Sequence, residues 1–281
     1  MSFYPILKAP GCRGWATLCN FSPNNWESSN ASEKLINVTW PQEGSWRTEN
    51  IGVLKYGEMK KIGIEEVAGL MPPNIMPFLS LTLSELPAVS RELPQLDIPI
   101  TGSPAWRASL GLSSALSSTS YQGELDPFPE SGSLLTFGPL IQFGDGIENF
   151  LILLNLEKTA ISRTVRVEIF DSKKKDLKGT FELSNNDATA ISLDGLDFKP
   201  TDLPLIICRD MSSIPIYFSR TSDGSSLSLE HSHPPASYVI HGKRWAAQKV
   251  LKNLTLKYNC FKISLMENFL IYLFILKTII R

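Results

Sequence analysis

Five short stretches recur in the same order in the two halves of this chain, and that ordered duplication limits the fold more than any single motif. Residues 15–21 (WATLCNF) align with 150–156 (FLILLNL), 38–40 (VTW) with 167–169 (VEI), and 61–67 (KIGIEEV) with 190–196 (AISLDGL). Residues 104–106 (PAW) then align with 215–217 (PIY), and 117–122 (SSTSYQ) with 225–230 (SSLSLE). One such match can arise by chance. An ordered set implies one supersecondary unit used twice.

Within each unit the period is two. Residues 164–170 (TVRVEIF) alternate polar and apolar, as a half-buried strand must, because successive side chains point to opposite sheet faces. A charged turn (171–176) and a second strand (179–183) follow, then a turn at 184–187 (SNND), whose Asn and Asp residues tolerate left-handed backbone. Residues 190–193, 205–208 and 214–219 supply further short strands. Strands this short, at this spacing, predict antiparallel sandwiches.

The first half is less regular. Prolines at 72, 73, 77, 94 and 99 mark loops or edge segments, because proline donates no ladder hydrogen bond. Residues 84–92 read as a short helix. Residues 126–132 (DPFPESG) form the expected boundary, stiffened by two prolines and freed by Gly132. The fold expected is mostly β: two tandem antiparallel β-sandwich domains, at 1–126 (with a proline-rich insertion) and 133–240, plus a C-terminal helical tail at 241–281.

The order of motifs in the second half resembles the small β-sandwich family of sensory rhodopsin transducers. The residues that carry this are Leu154-Asn155, 165–171 (VRVEIFD), 179–183 (GTFEL), 205–208 (LIIC) and 213–216 (SIPI). Residues 148–220 are covered, and 14–110 more loosely. The resemblance implies a non-catalytic, self-associating sandwich that acts through protein or small-ligand contact, and it transfers no functional residue.

Composition excludes several classes. A formal net charge of −1 lacks the dense cationic field that nucleic-acid binding requires. Residues 1–10 hold no basic start and carry two prolines, so no secretory leader is read there, and the sequons at Asn20, Asn30, Asn37 and Asn253 are taken as coincidental. Four cysteines in 281 residues make no disulfide framework. Cys12 and Cys19 match no zinc spacing, and buried free thiols are expected over a bridge between them. The expected compartment is reducing and cytoplasmic.

Chemistry has one sequence foothold. All three histidines lie at 231–241, and His231-x-His233 on a strand would place both imidazoles on one face, with Glu230 or His241 as a third ligand for a divalent metal. No nucleophile elbow, phosphate loop or dinucleotide fingerprint accompanies them. No cofactor is otherwise expected, and the balance leans away from an enzyme.

Binding has two. Trp15, Trp26, Trp40, Trp46 and Trp106 all fall in the first half, where they build a core or present a stacking surface for sugars or a partner protein. Trp26 and Trp46, set among polar residues, are the ones expected to be exposed. The tail combines a basic stretch with the apolar run 269–276 (FLIYLFIL), so 257–281 reads as packing against the protein, as an interfacial anchor, or as an altered reading frame. The expectation is thus a non-catalytic binding or scaffolding protein that contacts a protein partner or itself. A metal-dependent enzyme and a tail-anchored peripheral membrane protein are the alternatives.

Overall fold

Alternating residues form strands, and the strands pair only with antiparallel neighbours. The computed structural model describes residues 3–21, 32–95, 109–123, 125–128, 130, 132–137, 141–171, 176–199, 202 and 204–231. Trp26, Trp106, His233, His241 and the whole tail lie outside them.

Four sheets result. The first has the order β1-β6-β3-β4-β7, from β1 (Tyr4–Pro5), β3 (Lys34–Gln42), β4 (Ser45–Leu54), β6 (Phe78–Thr82) and β7 (Val89–Ser90). The second has the order β5-β2-β8-β9, from β2 (Arg13–Cys19), β5 (Met59–Gly63), β8 (Ser109–Ser113) and β9 (Ser118–Gln122). The third is β10-β15-β12-β13, from β10 (Leu134–Phe137), β12 (Thr164–Asp171), β13 (Asp176–Ser184) and β15 (Pro204–Cys208). The fourth is β14-β11-β16-β17, from β11 (Ile147–Leu154), β14 (Ala190–Ser192), β16 (Ile214–Thr221) and β17 (Leu227–His231). A single turn of helix, α1 (Ile64–Val67), follows β5.

The second pair of sheets repeats the strand order of the first. Substituting β10, β15, β12 and β13 for β1, β6, β3 and β4, and β14, β11, β16 and β17 for β5, β2, β8 and β9, reproduces every neighbour relation; only β7 has no counterpart. Registers agree as well: Trp15 sits opposite Gly63, and Phe150 opposite Ser192, the offsets found in sequence. The later matches need correction. Trp15 pairs with Gly111 where Phe150 pairs with Phe218, so the counterpart of Tyr217 is Leu110, four residues beyond Trp106. Tyr121 corresponds to Glu230, one residue from the expected Leu229. Serine-rich strands carry little to fix register, and a one-residue slip exchanges the two faces.

The duplicated asparagines have a structural cause. Asn20 and Asn155 end β2 and β11, both fully buried. Asn20 donates to the Leu54 carbonyl at 2.8 Å, and Asn155 to that of Ser212 at 2.7 Å. Each also meets a left-handed residue on the returning chain: the Gly57 amide (φ 83°) donates to the Asn20 carbonyl, and the Asn186 amide (φ 54°) to Asn155 Oδ1. Burial of Asn20 and Asn37 also removes both from the glycosylation acceptors the sequons suggest.

Three apolar clusters fill the structure. One, with Ala16, Leu18, Ile36, Val38, Ile62 and Leu79, takes residues from both first-half sheets. Another, with Leu151, Leu153, Val167, Ile169, Ile206 and Tyr217, does the same in the second half. The third belongs to both halves: Leu7, Trp46, Met76 and Phe78 meet Phe150, Ile152, Leu154, Ile216 and Phe218. β11 supplies both the second and the third cluster from its alternate faces, which explains why its sequence is apolar without a break from Phe150 to Leu154.

Polar contacts lock the same junction. Trp46 Nε1 donates to the Lys158 carbonyl at 2.8 Å, and the Leu93 amide to the same oxygen at 2.7 Å. Trp46 is therefore no exposed platform: it lies in β4, is 0% exposed and packs edge-on against Phe78. The expected linker is pinned as well. Phe128 is buried, and its amide donates to the Leu156 carbonyl at 2.7 Å. Residues 84–92 form no helix; Pro87 interrupts them, and Val89–Ser90 instead adds β7 to the edge of β4.

The turn between β16 and β17 docks back on the first half, where the Ser114 and Ser117 hydroxyls donate to the Gly224 carbonyl at 2.7 and 2.9 Å. Asp223 organises this turn by accepting from Thr221 Oγ1 and from the amide and hydroxyl of Ser225, which hold its carboxyl down at about 2. Its folded value lies below the unfolded one, so the turn's contribution is complete above pH ~4 and is lost as pH falls toward about 2. Carboxyl titration by NMR is expected to show this low midpoint, and Asp223→Asn to remove that acid-side loss. Phe218→Ala empties a fully buried site in the shared cluster and is expected to cost about 3–5 kcal/mol in urea unfolding.

Candidate functional site

The outer face of the sheet built on β2 carries the site. Ala16 and Leu18 point into the first-half core, so alternation turns Trp15 and Thr17 outward, where both are half-buried. Glycine flanks Trp15 on both neighbouring strands, Gly63 on β5 and Gly111 on β8. A Cβ on Gly111 would stand 2.2 Å from the indole, so the ring lies directly on bare backbone there. Trp15 Nε1 donates to Ser113 Oγ at 2.9 Å, which fixes the ring's direction, and Ser118 Oγ stands 2.9 Å from the same oxygen.

Lys61 lies over the indole, its Nζ 4.1 Å from the ring centroid. Such a contact at an exposed site is worth about 0.5–1 kcal/mol, so a ligand can displace it at little cost. Beyond the ring, the missing side chain at Gly63 leaves a hollow that the Glu65 carboxylate overhangs, 2.6 Å from where a Cβ would be. Glu66 is tied down, its Oε1 accepting from the Gly63 amide at 2.9 Å. Arg13, Trp15, Lys61, Glu65, Ser113 and Ser114 bound a cleft of about 310 Å³ here, within the size range of small-molecule sites.

The equivalent place in the second half is closed. Phe150 replaces Trp15 and Phe218 replaces Gly111; the two rings stack at 5.7 Å, and both are buried against the first half. One strand position in the duplicated order thus has two fates, buried joint and open cleft.

The residues singled out by sequence fall elsewhere. His231 ends β17, half-buried, with its ring 4.8 Å from that of Tyr121 on β9, so it helps join the halves. Burial pushes the Tyr121 phenol well above its ordinary range. Glu230 precedes His231 on the same strand and so faces the opposite way, which separates it from any ligand set built on that imidazole. No group of three or more His, Cys, Asp or Glu capable of holding a metal occurs among the described residues, and His233, His241 and Trp26 are not among them. Cys12 and Cys19 are free and about 23 Å apart along an extended strand, too far for a disulfide. Burial raises both thiols. No helix of the described residues is long and apolar enough to cross a membrane.

Trp15 was the residue to find. Its signal was parity: with Ala16 and Leu18 inward, Trp15 has to face out. In comparisons with known proteins the chain matches no protein family, no curated protein and no solved structure.

Gly111 is the sensitive point of this arrangement. Gly111→Val is expected to lift the indole off the sheet and cost about 1–3 kcal/mol, read as lower urea stability together with a shifted Trp15 signal in 5-fluorotryptophan 19F NMR.

Proposed function

We propose that this chain is a non-catalytic binding protein built from tandem β-sandwich modules, taking its ligand in the cleft beside Trp15. The observation that carries the reading is the contrast between the two equivalent faces: Phe150 and Phe218 are buried at the joint, while Trp15 and Gly111 leave an open aromatic floor. An aromatic ring held flat by a glycine and an indole hydrogen bond is pre-organised, which lowers the entropic cost of binding. The serine hydroxyls of the cleft support binding over catalysis. Ser113 accepts from the indole and Ser114 donates to the Gly224 carbonyl, so both are engaged in structure. The strands that carry the resemblance to the sensory rhodopsin transducers fit the same non-catalytic reading.

The test is a panel of polar fragments, sugars and short peptides screened against the full chain labelled with 5-fluorotryptophan. At least one compound is expected to move the Trp15 signal, assigned by its loss in Trp15→Phe, and Trp15→Ala is expected to weaken that compound at least tenfold by isothermal titration calorimetry. A Trp15 signal unmoved across the panel overturns the reading.

A further inference from the structure

The geometry points to a ligand class for this cleft: a neutral carbohydrate, one pyranose ring laid on the Trp15 indole in the place now taken by the Lys61 ammonium. The inference rests on the binding reading above and adds the chemistry of the ligand.

Three features of the cleft define that chemistry. The first is its charge. Arg13 and Lys61 are matched by Glu65 and Glu66 around one opening of about 310 Å³. An anion entering there would meet Glu65, and a cation would meet Arg13 and Lys61. A neutral ligand has neither conflict.

The second feature is the pattern of unengaged groups. Lys and Arg only donate, an ionised carboxylate only accepts, and a hydroxyl does both. A ring carrying several hydroxyls can therefore donate to Glu65 while accepting from Lys61 and Arg13. Few other neutral chemistries offer both roles on adjacent atoms. Glu66 keeps one oxygen on the Gly63 amide and Ser113 holds the indole, so binding need not break either contact.

The third is the floor. Trp15 is half-buried, rests on Gly111 and lies beneath one flexible lysine. The flat C–H face of a pyranose matches such a ring, and displacing Lys61 releases its ammonium to the ligand's rim. The absent side chain at Gly63 lets the Glu65 carboxylate lie over that backbone, where it can accept from a hydroxyl of a ring laid on the indole.

The experiment titrates the full-length 5-fluorotryptophan protein with cellobiose, maltose, lactose, mannobiose and N,N′-diacetylchitobiose, and in parallel with glucose 6-phosphate, glucosamine and charged tripeptides. At least one neutral disaccharide is expected to move the Trp15 signal saturably at millimolar concentration or below. Its affinity, read for all variants by isothermal titration calorimetry, is expected to fall at least tenfold in Trp15→Ala and about three- to tenfold in Glu65→Gln, a substitution at an exposed residue. If only charged probes move Trp15, the carbohydrate class is wrong and the binding reading stands. If a disaccharide binds equally to wild type and both variants, the location is wrong. If no probe moves Trp15, both readings fall together.

Discussion

β11 is buried on both faces, and the rest of the structure follows from that constraint. Leu151 and Leu153 fill the core of the second half, while Phe150, Ile152 and Leu154 on the opposite face meet Trp46, Phe78 and Met76 of the first. A sheet with two apolar faces has to be covered twice. The second cover is the first half of the same chain, so the two halves share a cluster in addition to the one each holds alone. The joint is asymmetric. The first half contributes the sheet that contains β4 and β6, and the second contributes the sheet that contains β11 and β16. In the first half, the sheet equivalent to the buried one meets the second half only at its β8–β9 end among the described residues, and its outer face beside β2 carries the cleft.

The joint is held in register by polar groups, some buried and some at its rim. The loop between β11 and β12 is its hub. Glu157, 1% exposed, pairs with Arg163 and accepts from Asn185, while Asn186 donates to the Thr159 carbonyl. Arg163 and Thr159 both reach Glu130 in the segment that leads from one half to the other, and the Lys158 carbonyl receives Trp46 and Leu93 from the first half. Glu157, Asn185 and Asn186 are buried, and Glu157 is bonded to both asparagines, so loss of one strands a partner at a cost of about 1–3 kcal/mol. Apolar burial supplies the adhesion here; these bonds specify the one arrangement in which it is satisfied.

How far the sequence can be read differs between fold and site. Alternation located β12 and β14–β16 closely, and the duplicated Asn20 and Asn155 mark the same strand end twice because both cap a buried turn. Trp46 misled for a physical reason. Its neighbours Glu43, Gly44, Ser45 and Arg47 are those of a polar loop, yet they form a hairpin whose turn uses left-handed Glu43 and Gly44, and the face bearing Trp46 is covered by chain more than a hundred residues away. No local pattern encodes that cover. The stretch at 84–92 misled similarly: its composition allows a helix, but an open edge on β4 captured it as a strand.

The alternation of side chains, the repeated order of strands and the unbroken apolar run at 150–154 were determined by the sequence alone, because each is a property of neighbours along the chain. Which sheet face meets which, and therefore that Phe150 is sealed while Trp15 looks onto solvent, was decided only by the packing of one half on the other. The physical reason is that burial depends on what stands across from a residue. For Trp46 and for the cleft alike, the deciding groups lie on segments distant in sequence, Lys158 for the one and Gly63 and Gly111 for the other.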